Sequence, residues 1–280
     1  MTIGIMSGCS TPQDGNGIAV TIEPQRYFAE HIAGDKFSIH SVVPSGQSPE
    51  VYDPTPQEML RTGKSRAYLR MGYLGFEQVW MKNIQENNPK MQVFDLSEGM
   101  DLIKDDEEDV DDEHNHHQHS GGIDPHTWSS IKGAKMIAKN TLNAFITLDK
   151  ESEDYYRHNY ESLMAEIEAA EAFIHRQLDT LTHRAFIIYH PALTYFADEF
   201  NLVQFCIEMD GKEPSPVQLK TLVDMAKEHQ VKVVFVQQEF DRKNAERIAE
   251  ETGCRLVTIN LLDYHWDKEM IKVANALAGE

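Results

Sequence analysis

Short β-branched apolar runs alternate with amphipathic stretches along most of this chain. In the first half, residues 18–22, 37–43, 67–71 and 91–95 read as strands. Residues 25–33 and 77–87 carry the three-to-four-residue apolar spacing of helices. The rhythm returns later, with strands expected at 185–189, 203–207, 231–236 and 255–259. The helices expected between and after them are 193–200, 217–228, 243–252 and 268–277. Alternation of this kind predicts parallel sheets with right-handed crossovers. The expected fold is α/β with two lobes, each a mainly parallel four-stranded sheet flanked by helices.

Between the two sets lies a stretch of another kind. From Glu151 to about Leu181 there is no Gly or Pro, and Leu163, Ile167, Ala170, Ile174 and Leu178 recur at helical spacing. About thirty residues of helix would extend roughly 45 Å, a stiff strut rather than a Gly/Ser-rich hinge. The expected divisions are therefore a spacer at 1–17, a first lobe at 18–150, a linking helix at 151–181 and a second lobe at 182–280.

Composition narrows the picture. Hydrophobic residues make up 41% of 280, enough for real cores. A net charge of −20 argues against nucleic acid as a partner and favours attraction of cations. No apolar run approaches the roughly 20 residues that a membrane span requires. Near the start, Met6-Ser7-Gly8-Cys9 resembles a bacterial lipobox, in which the cysteine is lipidated after signal cleavage. What precedes it is short and lacks a positive n-region, as in a truncated signal. The polar spacer that follows suits a lipid anchor at Cys9. Cys206 and Cys254 fall in the last third, where the default is a buried core thiol; spacing alone leaves their pairing open.

The most conspicuous chemistry is at residues 104–128, KDDEEDVDDEHNHHQHSGGIDPHTW. Eight carboxylates and the imidazoles of His114, His116, His117 and His119 precede a glycine pair. Carboxylates and imidazoles bind divalent cations, and imidazole suits zinc, copper, iron and nickel. With no apolar period, the run is expected to be a mobile, metal-collecting loop. It leads into a turn that carries His126.

Ligands in parallel α/β sheets bind beyond the carboxyl ends of the strands. Glu50 lies in the proline-rich loop after the second expected strand, and His126 just before a helical pattern. His190 follows the strand at 185–189, and Glu239 the strand at 231–236. Asn260, with Asp263 beyond it, follows the last strand. None of these is specific alone; together they place two imidazoles and carboxylates at the inner edges of two adjoining lobes.

Several motifs then act together: SPEVYDPTP at 48–56, the acidic His-rich loop, DPHTW at 124–128, FIIYHPALTYFADEF at 186–200, GKEPSPVQL at 211–219 and RIAEETG at 247–253. Through them the chain resembles the metal-binding solute-binding proteins of bacterial ABC importers, of the zinc and manganese type. The resemblance covers nearly everything from Ile18 to Leu277. It implies two α/β lobes joined by a long rigid helix, with the metal held between them. It also implies ligands from four places. The first is a histidine in a motif like SPHxYxPTP, where this chain has Glu50. The second is the DPHxW histidine, here His126. The third opens the second lobe, here His190, a histidine that goes with zinc where glutamate goes with manganese. The fourth is an aspartate after the last strand, where this chain has Asn260. A neutral amide is a poor zinc ligand, so Glu239 is expected to substitute, ahead of Asp263 or a water.

The resemblance thus implies Zn2+ as the ion, with Mn2+ or Fe2+ next, since oxygen ligands harden the site. Two imidazoles and one or two carboxylates suit tetrahedral zinc. Imidazoles must be neutral to coordinate, so affinity should fall below about pH 6.5. The expected protein is no enzyme but a periplasmic or extracytoplasmic monomer serving an ABC permease. The alternatives are a manganese or iron importer component, a zinc-dependent hydrolase with an open coordination position, and a surface adhesin or zinc buffer. A hydrolase would need an activated water and a general base, and the chain has neither HExxH nor a nucleophile elbow.

Overall fold

A computed structural model of the chain describes residues 16–104, 122–208 and 214–279. Its first lobe runs β1 (Gly17–Val20), α1 (Glu23–Ala33), β2 (Ser38–Ser41), α2 (Pro56–Thr62), β3 (Ala67–Arg70), α3 (Gly75–Asn87) and β4 (Gln92–Asp95). Two long helices follow, α4 (Ile131–Leu148) and α5 (Glu153–Leu178). The second lobe runs β5 (Ala185–Ile188), α6 (Thr194–Glu199), β6 (Val203–Cys206), α7 (Pro216–Glu228), β7 (Val233–Gln237), α8 (Lys243–Thr252), β8 (Arg255–Ile259) and α9 (Trp266–Ala278). Every strand pairing is parallel, in the orders β2-β1-β3-β4 and β6-β5-β7-β8. In each sheet the winding reverses beside the first strand, between β1 and β3 and between β5 and β7. Such a switch point opens a crevice at the carboxyl edge.

The central strands are buried because helices cover both faces of each sheet. Ile18, Ala19, Tyr68, Phe186, Ile187 and Phe235 are fully buried. The 26 residues of α5 span about 39 Å. Their buried stripe is Tyr156, Leu163, Ile167, Ala170, Ile174 and Leu178. α1 and α4 pack on this helix from the first lobe and α9 from the second. One continuous hydrophobic cluster therefore runs from Phe28 and Phe145 through Ile167 to Phe196 and Trp266. Two indoles stitch the same seam. Trp128 Nε1 donates to the Leu261 carbonyl at 2.8 Å, and Trp266 Nε1 donates to the Trp128 carbonyl at 2.6 Å. With both lobes packed on one spine, the crevice between them has fixed walls.

Three details depart from the sequence reading. The linking helix is shorter than 151–181, because residues 150–152 form a 3-10 turn and α5 ends at Leu178. A short helix absent from the expected set, α2, begins at Pro56, the last residue of the proline-rich loop. Proline at the first helical position is pre-set for the helix, and Thr55 and Glu58 cap it reciprocally. Cys206 and Cys254 are half-buried and cannot pair. Cys206 ends edge strand β6 and Cys254 immediately precedes edge strand β8, about three strand spacings or 14 Å apart and at opposite ends of the sheet, beyond disulfide reach. Cys9 and the four loop histidines lie outside the described residues. No helix among those described is long and apolar enough to cross a membrane.

Candidate metal centre

Four segments meet at the crevice. Glu50 comes from the loop between β2 and α2, and His126 from the turn before α4. His190 follows β5, and Glu239 follows β7. All four side chains line one cavity of about 20 Å3, with Ser48, Pro49, Trp128, Ala192, Phe240, Leu261 and Leu262. That volume is room for about one water-sized occupant.

His126 is 5% exposed, and its orientation is set locally. Asp124 Oδ1 accepts both the His126 backbone N–H at 2.8 Å and the ring Nδ1–H at 2.9 Å. Burial would push the Asp124 carboxyl up, but the facing His126 ring and its hydrogen bonds outweigh that and hold it low. The chain then folds through a 3-10 turn, Thr127–Ser129, directly against α4. A side chain at Gly133 would meet the Thr127 carbonyl at 1.8 Å, so only glycine lets the turn sit this close.

His190 is fixed by the strand ends. Past β5 and β6 the ladder continues, Glu208 N–H donating to the Tyr189 carbonyl at 2.9 Å. This brings Glu208 beside His190, where Oε2 takes the ring Nδ1–H at 3.0 Å. Gln237, 1% exposed, grips the His190 backbone in both directions. Phe240 stacks on the ring at 5.3 Å.

With both Nδ1 atoms turned to carboxylates, each ring presents its Nε2 lone pair to the cavity. The two Nε2 atoms are 3.3 Å apart. For zinc–nitrogen bonds of 2.0–2.1 Å at a tetrahedral angle, the nitrogen–nitrogen edge is about 3.3–3.4 Å. Two lone pairs at this distance are stable only across a cation, either a shared proton or a metal.

The carboxylates are less committed to a common point. Glu239 Oε2 is buried with no hydrogen-bond partner among the described residues. Burial pushes this carboxyl up, against its own backbone N–H and the charge of the two imidazoles. A divalent cation would relieve that burial. Glu50 Oε2 accepts the Gly75 N–H at 3.2 Å, at the start of α3. A Cβ at Gly75 would strike the Glu50 carbonyl at 2.5 Å, so the loop needs glycine beneath it. The Gly75 region is itself shaped by Glu77, 2% exposed. Its carboxylate accepts Met71 N–H at 2.7 Å, Gly72 N–H at 2.6 Å and the Thr21 hydroxyl. Burial pushes Glu77 up to about 7 despite those three donors.

Among the described residues, no three His, Cys, Asp or Glu side chains are drawn in as a finished cage. The imidazole edge is set, whereas Glu50 faces the α3 amide. Asn260 and Asp263 are elsewhere. Asn260 Nδ2 donates to Asp263 Oδ2 at 3.1 Å and Oδ1 takes Leu262 N–H, shaping the turn that delivers Leu261 and Leu262 to the cavity wall. Sequence reasoning passed over Glu208. The signal was a carboxylate two residues past β6, level with His190 two residues past β5.

The family described as zinc-uptake complex component A, periplasmic (ZnuA), matches residues 18–269. A solved ZnuA structure is similar at 33% identity and a TM-score of 0.86, covering 95% of this chain and 99% of its own. The high-affinity zinc uptake system protein ZnuA of Bacillus subtilis is 27% identical over 88% of this chain and 78% of its own. The manganese-binding lipoprotein MntA of Halalkalibacterium halodurans is 25% identical over 89% of this chain and 82% of its own.

Proposed function

This chain belongs to the ZnuA family and is a metal-binding substrate-binding component of an ABC importer, and on that premise we propose that its cargo is zinc. It captures the ion outside the cytoplasmic membrane, holds it between the lobes and hands it to the membrane permease as a monomer, tethered through a lipid on Cys9. The observation that carries the metal site is the pair of Nε2 atoms at 3.3 Å, and zinc is preferred because two imidazoles with one or two carboxylates suit its tetrahedral shell. His126 and His190 bind the ion, and Glu50 and Glu239 turn inward to complete the shell and neutralise its charge. A cavity of about 20 Å3 holds an ion and little else, which weighs against the hydrolase alternative. The relatives above carry zinc in one name and manganese in another, and two carboxylates also suit Mn2+ or Fe2+. A manganese or iron cargo is therefore the second reading.

Calorimetric titration with Zn2+, Mn2+ and Fe2+ tests both. Zinc should bind tightest, and Glu50→Ala, His126→Ala and His190→Ala should each weaken it. No zinc binding, or wild-type affinity in all three variants, would sink the proposal; tighter Mn2+ or Fe2+ binding would favour the second reading. Deleting residues 105–119 should lower the number of ions bound and leave the tight site intact.

A further inference from the structure

His126 and His190 belong to different lobes, so something must hold the 3.3 Å between them. The four-residue step from His190 to α6 suggests where to look. Helix α6 is anchored in the second lobe, where Gln204 Oε1 accepts the Leu193 N–H and Gln204 Nε2 donates to the Thr194 hydroxyl. From that anchor two of its side chains reach across the seam, one of them to Asp124, whose carboxylate orients the His126 ring. Tyr195, 7% exposed, donates its hydroxyl to the Asp124 carbonyl at 2.8 Å and accepts the Ile103 N–H at 3.2 Å. Glu199 Oε2 accepts the Ile131 N–H at 2.8 Å and the Lys132 N–H at 3.2 Å, the first turn of α4. These contacts bracket the His126 turn, one end at Asp124 and the other at the helix that starts just beyond it.

We propose that α6 is the spacer that sets the His126–His190 separation, with Tyr195 and Glu199 as positioning residues for metal binding. The inference rests on the metal-binding reading above and adds a cause for its geometry. Neither side chain lines the ion cavity, so each acts through backbone it holds. The two bonds are complementary. Tyr195 fixes the entry to the turn. Glu199 satisfies two of the amides that every helix start leaves without an intrahelical partner, and its charge is favoured there by the helix dipole. Loss of either leaves the two Nδ1–carboxylate contacts in place but frees the turn to shift against the second lobe.

Tyr195→Phe, Glu199→Ala and Glu199→Gln test this in the full chain, each titrated with Zn2+ and, separately, with Co2+ as a spectroscopic probe. Tyr195→Phe and Glu199→Ala should each weaken zinc by roughly tenfold, as for other groups that orient a ligand. Glu199→Gln still offers a carbonyl oxygen to the same amides and should recover part of the loss. The visible Co2+ bands, which report ligand geometry, should shift in Tyr195→Phe and Glu199→Ala. Thermal midpoints of the metal-free variants separate positioning from general destabilisation. The spacer role is overturned if zinc affinity and Co2+ bands stay at wild type in both variants, or if affinity falls only in step with metal-free stability. Failure of the underlying reading looks different: there the wild type itself binds no zinc, or His126→Ala and His190→Ala bind it normally.

Discussion

Replacing Asp124 tests the reasoning about the imidazole edge most directly. Asp124 is 3% exposed and its Oδ1 takes two hydrogens from the same residue, the backbone and ring N–H of His126. Asp124→Asn keeps an oxygen able to accept both, so the tautomer survives while the negative charge that makes the ring a better donor is lost. Asp124→Ala removes orientation and charge together. Groups of this kind typically change metal affinity by about 10–100-fold, so we expect about tenfold for asparagine and nearer a hundredfold for alanine. These factors correspond to about 1.4 and 2.7 kcal/mol, the first just below and the second inside the ~1.5–3 kcal/mol of a hydrogen bond to a charged group. Competition against a chromophoric zinc chelator measures the change. Unfolding of the metal-free variants in urea shows how much is lost stability instead. If both variants stay within about twofold of wild-type affinity while folded, Asp124 does not orient a ligand, and the lone-pair geometry assigned to His126 is wrong.

Other expectations follow from single groups. Glu77 is fully buried, and its carboxyl is raised to about 7 from an ordinary 4.5. A raised carboxyl contributes stability that is complete below pH 4.5 and lost as pH rises through 7, about 3 kcal/mol in all. Glu77→Gln removes that dependence, so wild-type stability relative to the variant should fall between pH 4 and pH 8; a constant difference in urea unfolding would refute it. Glu239→Gln replaces a buried carboxylate by a neutral amide, so metal-free stability should rise by about 1 kcal/mol while zinc affinity falls. Parallel losses of both in thermal and calorimetric scans would contradict this. Glu50→His exchanges an oxygen donor for a nitrogen donor, which should raise the preference for Zn2+ over Mn2+ in competition titrations; an unchanged ratio would exclude Glu50 from the shell.

The fold was legible because its signals are local. Short β-branched apolar runs marked all eight strands to within about two residues, and β8 and α8 were read at their observed bounds. α2 was missed because its start lies at the end of a proline-rich loop, where only the Thr55–Glu58 capping pair marks a helix. Glu50, His126, His190 and Glu239 were legible as residues past strands or before a helix, which a parallel sheet gathers at one edge. The groups that orient them were not. Glu208, Gln237 and Tyr195 act across sequence separations of 18, 47 and 71 residues. No spacing rule links such pairs until the register of β5 with β6 and β7, and the seat of α6, are known.

The conspicuous loop and the ordinary-looking cleft also separate on physical grounds. The described roots of the loop meet at the Lys104–Ile123 bridge, and the Asp124 N–H donates to the Ile103 carbonyl at 3.0 Å. The loop is thus closed off one residue before the turn that orients His126. Its many charges can raise the local cation concentration, whereas tight binding needs donors whose freedom is already restricted. Among the described residues the cleft supplies these, with two imidazoles each held by a carboxylate on one side and an aromatic ring on another. An octahedral ion with longer bonds closes a right-angled edge of nearly the same length as a tetrahedral zinc, so the imidazole pair alone selects poorly between them. Discrimination must come from how many oxygens Glu50 and Glu239 deliver, one of which already answers to the start of α3.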